Sequence, residues 1–113
     1  YAAGSLSGAG HADKLADCGL RAFAAQRIEA PLIEGCIAWL ECRVIPEPQV
    51  QTAHDLFVAE VLAAWADERA FVDGKFRHID DTPPDWRTLH HLGAGRFVVP
   101  GVQRQGQRLD AED

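Results

Sequence analysis

Apolar residues change their spacing from one stretch of this chain to the next, and each change marks a change of element. Between Cys36 and Ile45 the residues Cys36, Ala38, Leu40, Cys42 and Val44 occupy every second position, with Glu41 and Arg43 on the opposite side. That period predicts a β-strand buried on its apolar side. Pro46 and Pro48 stop it, because proline cannot donate to a ladder, and the polar residues up to Ala53 read as a turn. The run from His54 to Ala64 predicts the hairpin partner, with Phe57, Ala59, Val61, Ala63 and Trp65 on one period-two face.

Shorter elements flank this pair. Gly4 to Gly10 is small and flexible, and it feeds a segment from His11 that reads as a short helix stopped by Gly19. Leu20 to Ala30 has no clear period and reads as a connector. Asp73-Gly74, set between Phe71-Val72 and Lys75-Phe76, predicts a tight hairpin. Thr82-Pro-Pro-Asp-Trp86 is a rigid entry to a short helix in which Trp86, Leu89 and His90 share a face until Gly93. Arg96 to Gly101 reads as a last short strand, and residues 102–113 as a polar tail. A two-stranded ribbon leaves both edges bare, so further strands or a second copy of the chain are expected to complete the core.

Composition removes several classes of function. Eleven Lys and Arg against seventeen Asp and Glu leave a formal charge of −6 over 113 residues, and no basic face is visible for a nucleic acid. The 47% hydrophobic and 25% charged content is that of a globular chain. Leu56 to Ala66, interrupted by Glu60, is well short of the ~18 apolar residues of a membrane span. Three cysteines without a Cys-x-x-Cys pair suggest neither a disulfide framework nor a zinc ribbon, and point to reduced thiols in the cytoplasm. The chain opens on Tyr1, has no Met and shows no signal peptide, and so reads as trimmed.

Candidate chemistry lies in three places. His54 sits after the polar turn, where a side chain can face a pocket, although a histidine satisfied by a turn carbonyl is the plainer reading. The stretch from Gly4 to Gly10, with Ser7 inside it and Lys14 beyond it, could cradle a phosphate with backbone N–H groups. It has neither a Walker pattern nor a Gly-x-Gly-x-x-Gly fingerprint, and a flexible connector explains it as well. Gly93-Ala-Gly-Arg96-Phe97 would let a flat ligand approach the backbone beside a cation and an aromatic face. His90 and His91 are neighbours that point apart, so a shared metal is not expected.

Several separated motifs together resemble the flavin reductase-like family of FMN-binding split barrels, flavoredoxin-type proteins included. They are Ser5-Leu-Ser-Gly with Ala12-Asp-Lys14, Ala30-Pro-Leu-Ile, Trp39-Leu-Glu-Cys-Arg-Val44, His54-Asp-Leu-Phe-Val-Ala-Glu-Val61 and Leu89-His-His-Leu-Gly-Ala-Gly-Arg-Phe-Val-Val-Pro-Gly101. The resemblance implies a mainly β fold, the C-terminal part of an antiparallel split barrel over residues 1–101, with the first barrel strands ahead of Tyr1. It implies a homodimer that binds FMN and takes hydride or electrons from NADH or NADPH, in some cases for a partner monooxygenase. By motif match, Lys14 serves the flavin phosphate, Phe97 approaches the ring system, and His54 stands for the histidine of a Gly-Asp-His motif. Ser7 and Arg96 join them as cofactor-binding candidates. That motif reads Thr52-Ala53-His54 here and the glycine that follows it in the family is Ala59, departures that bear on nicotinamide use more than on flavin. The alternative is a dimeric flavin-binding or interaction module without turnover.

Overall fold

In a computed structural model, which describes residues 1–106, the chain is mainly β and entirely antiparallel. Its strands form four two-stranded ladders: β1 (Ala22–Phe23) with β2 (Leu32–Ile33), β3 (Ala38–Ile45) with β4 (Val58–Ala66), β5 (Phe71–Val72) with β6 (Lys75–Phe76), and β7 (His90–Gly93) with β8 (Arg96–Val98). Closing a barrel takes more strands than any one of these ladders holds. Helices are short: α1 (Ala2–Ser5), α2 (Lys14–Asp17) and α3 (Pro48–His54), with 3-10 turns at Ile79–Asp81 and Pro84–Trp86. The chain divides into two compact units, Tyr1–Asp67 and Glu68–Asp113.

The long hairpin β3–β4 is the frame of the first unit. Its register pairs Leu40 with Ala64, Glu41 with Ala63, Cys42 with Val61 and Val44 with Ala59, and a bulge between Glu41 and Cys42 leaves Leu62 as the extra residue. An inserted residue reverses the alternation beyond it. Ala59 and Val61 therefore share a face with Cys42 and Val44, whereas Ala63 and Trp65 lie on the other face with Trp39 and Glu41. This corrects the expectation of one continuous apolar face through Trp65.

The covered side is also the reverse of the expected one. Glu41 is completely buried, while Leu40 is 61% and Val44 53% exposed. The stretch 24–30, connecting β1 and β2, is tied to the Glu41 side by hydrogen bonds, and nothing comparable among the described residues covers the Leu40 side.

The predicted helix after His11 is real but shorter. Asp13 caps it by accepting from the Ala16 N–H at 3.4 Å. Gly19, at φ +69°, closes it in a Schellman arrangement, with Leu20 N–H donating to Leu15 O and Gly19 N–H to Ala16 O, both at 2.8 Å. The expected polar turn before His54 is instead α3, since Pro48 sits at its first turn, where a missing N–H costs nothing. Asp55 ends α3 in the left-handed region, φ 50°, so β4 starts at Val58 and His54 is the last helical residue rather than a strand residue.

Asp73 and Gly74 form the expected hairpin turn with φ values of 53° and 76°, and Phe71 and Phe76 meet edge to face across it at 5.2 Å. The helix expected from Trp86 to Gly93 is a 3-10 turn followed by β7. Ala94-Gly95 makes the two-residue turn into β8, with φ of 52° and 73°, and a turn of this kind pulls the preceding histidines into a strand. Alanine is strained at that φ. Ala94→Asn is therefore expected to raise stability by about 0.5–1 kcal/mol in chemical denaturation. The last strand is Arg96–Val98, shorter than expected, and most of the polar tail, residues 107–113, lies outside the described residues.

Candidate functional site

Ser7 organises the loop that precedes α2. Its carbonyl accepts from Gly10 N–H at 3.2 Å and from His11 N–H at 3.1 Å, and its Oγ accepts from Ala9 N–H at 3.3 Å. Lys14, the first residue of α2, reaches back over eight residues so that Nζ donates to Leu6 O at 3.5 Å. The ammonium is half-buried and belongs to no ion pair among the described residues. A long bond to one carbonyl leaves most of its donor capacity for a further acceptor. Ser7 and Lys14 are thus brought to one small loop, and its chemistry suits an anionic group.

The other candidates stand elsewhere. His54 is exposed at the C-terminus of α3, and no hydrogen bond joins it to the Ser7 loop among the described residues. Arg96 and Phe97 lie on β8 in the second unit, where the Phe97 ring stacks on its cross-strand neighbour His91 at 4.8 Å and 22°. Arg96 is exposed, and Phe97 remains 43% exposed. Among the described residues no cluster of His, Cys, Asp and Glu could hold a metal ion.

Glu41 is the residue that the alternating pattern misassigned. One carboxylate oxygen accepts from the Trp65 indole N–H at 2.7 Å and from Gln26 N–H at 3.2 Å. The other accepts from Arg27 N–H at 2.6 Å and from Gln26 N–H at 3.2 Å. Burial by itself raises its pKa, but the N–H groups of Arg27 and Gln26, the Trp65 indole and the Ile28 N–H outweigh it and hold the carboxyl below the usual 4.5. The carboxylate backs a cavity of about 290 Å3 whose walls include Phe23, Leu32, Trp39 and Trp65. Phe23 and Trp39 meet edge to face there at 5.8 Å, and the Trp39 indole donates to Ile33 O at 2.7 Å. A carboxylate flanked by two tryptophans on paired strands was the available signal.

Paired antiparallel hairpins, with a serine and a lysine on the loop ahead of a capped helix, define a small, mainly β protein of antiparallel strands. The chain belongs to the family described as flavin reductase like domain, whose model matches residues 2–80. A crystal structure of an FMN-binding domain of a flavin reductases-like enzyme from Shewanella baltica is similar to it at 42% identity and a TM-score of 0.85, over 91% of this chain and 53% of that one. The uncharacterized protein YddH of Escherichia coli (strain K12) is 41% identical over 102 residues, which are 89% of this chain and 52% of the relative. An uncharacterized protein of Archaeoglobus fulgidus is 41% identical over 76 residues, 66% of this chain and 41% of the relative. The chain spans about half the length of the relatives it matches.

Proposed function

We propose that this chain is part of an FMN-binding protein that passes hydride or electrons from NADH or NADPH, as a flavin reductase or a flavin-dependent electron carrier. The observation that carries the reading is the 42% identity, across 91% of the chain, to an FMN-binding domain. Bound FMN would supply the two-electron chemistry, and the protein's part is to hold and orient it. Lys14 would hold the phosphate end, because its ammonium is a cation with donors to offer beside the folded Ser7 loop. Phe97 offers a partly exposed aromatic ring and Arg96 an exposed cation. The homodimer, the partner monooxygenase and the cytoplasmic setting come with the same reading, the last supported by three cysteines that stand as free thiols.

Titration of the full chain with FMN, followed by flavin fluorescence, tests this. Saturable quenching is expected, and Lys14→Ala should weaken it at least about tenfold with little change in the unfolding midpoint, since a charge-assisted hydrogen bond to phosphate is worth roughly 1.5–3 kcal/mol. Indifference of the full chain to FMN would remove the proposal. Sedimentation of the same sample reads the dimer.

A binding role without turnover is favoured by one observation. Thr52, Ala53 and His54 are helical residues of α3, and the segment that resembles a Gly-Asp-His motif lacks both its glycine and its aspartate. NADH and NADPH oxidation in the presence of FMN separates the two readings. A rate above the free-flavin background supports the reductase, and a rate equal to it supports the binding module.

A further inference from the structure

The second unit contains a cavity of about 260 Å3 for which the flavin reading has no use. Phe76, Ile79, Trp86 and Pro100 give it apolar walls, Arg77 and Arg87 give it charge, and no Asp or Glu among the described residues lines it. Arg87 is half-buried and held rigidly by three backbone carbonyls: Nε donates to Thr82 O at 2.7 Å, Nη2 to Ile79 O at 2.8 Å and Nη1 to Pro100 O at 3.0 Å. A guanidinium has five N–H groups, so one remains on each Nη. Among the described residues no carboxylate pairs with this cation.

A purely structural role, stapling three segments together, accounts for the three bonds that are made. It does not account for a full charge kept in a partly desolvated cavity where no described residue sets an acid beside it, an arrangement that costs stability unless a counter-charge arrives. A carboxylate meets that need, because its two oxygens match the planar guanidinium donors. The rest of the ligand has to suit the remaining walls. One face of Trp86 is already covered by the Arg69 guanidinium at 3.8 Å from the ring, and Phe76 is half open. Flat apolar matter fits such walls, and the volume limits it to about one ring.

We propose that this cavity binds a small aromatic carboxylate, with its acid group on Arg87 and its ring against Phe76 and Trp86. The site lies within the second unit and stands independently of the flavin reading. Benzoate is the probe, titrated into the full 15N-labelled chain while the Arg87 Nε–H and Trp86 indole N–H signals are followed. Saturable shifts of both in the millimolar range are expected, with acetate and inorganic phosphate at least about tenfold weaker. Phe76→Leu should weaken benzoate several-fold while leaving the shifts that acetate causes unchanged. Arg87→Lys keeps the charge but loses the planar donors, and should abolish saturation in whatever fraction folds. Absence of saturation with the unaltered chain, equal binding of acetate and phosphate, or shifts confined to residues outside the cavity would each overturn the proposal. Benzoate binding should persist in Lys14→Ala, which separates this result from any failure to bind FMN.

Discussion

Glu41→Gln is expected to lower the thermal unfolding midpoint by several degrees and to uncouple the stretch 24–30 from the β3–β4 hairpin. The carboxylate has two acceptor oxygens, and both are engaged, by Trp65, Arg27 and Gln26. An amide of the same shape has one acceptor oxygen and one NH2 group. Whichever way it turns, a donor faces either the Trp65 indole N–H or the Arg27 N–H, and a buried donor is left without an acceptor. The Trp65 emission and the amide exchange of residues 26 and 27 read the local effect, and the midpoint reads the global one. An unchanged midpoint together with protected Gln26 and Arg27 amides would sink this account of the first unit.

The same residue sets an acid dependence of known sign. The folded state holds the Glu41 carboxyl below its ordinary 4.5, so the unfolded chain binds more protons there as the pH falls. The stability that Glu41 contributes is complete above the unfolded value and is lost as pH drops through the lower folded value. Glu41→Gln has no such titration at this position. The stability gap between the two proteins should therefore be widest at neutral pH and close progressively below 4.5, as urea unfolding at a series of pH values would record.

Elements whose cause is local could be read from the sequence, and elements whose cause is a distant neighbour could not. Asp73-Gly74 makes its turn because two successive positive φ values suit those residues, and Gly19 stops α2 for the same kind of reason. Strand β3 follows from its alternation, but alternation does not say which side will be covered. That was decided by backbone N–H groups at positions 26 and 27, brought in by a connector with no period of its own. The Leu62 bulge is equally invisible, since an extra residue shows only in the pairing. Pro48 looks like a breaker in the sequence although a proline is equally at home in a first helical turn, and Trp86, Leu89 and His90 have helical spacing although the Ala94-Gly95 turn draws His90-His91 into a strand. Of the candidate cofactor residues, the sequence put Ser7 and Lys14 near each other for a sound reason, a short loop before a capped helix. His54, Arg96 and Phe97 were tied to them by motif alone.

A lysine on the open face of β3–β4 should change the behaviour of the chain in solution more than any other surface substitution. Ala38, Leu40, Cys42 and Val44 stand opposite Ala66, Ala64, Val61 and Ala59, so this face carries no charge along its length. Leu40, Val44 and Val61 are each more than half exposed, and Arg43 and Glu60, which form an ion pair at 2.6 Å, lie on the other face. Contiguous apolar patches beyond a few hundred Å2 are rare on isolated soluble domains, and they bind hydrophobic dyes and one another. The 113-residue chain should accordingly bind an anilinonaphthalene dye and associate as its concentration rises. Val61→Lys places a flexible cation in the middle of the face, opposite Cys42, without touching the Glu41 network behind it. Dye fluorescence should fall several-fold and association should weaken, while the unfolding midpoint moves little because the residue it replaces is exposed. A dye signal that is absent from the unaltered chain, or unaffected by the lysine, would mean that this face is covered in solution, and a steep loss of stability in Val61→Lys would point to the same conclusion.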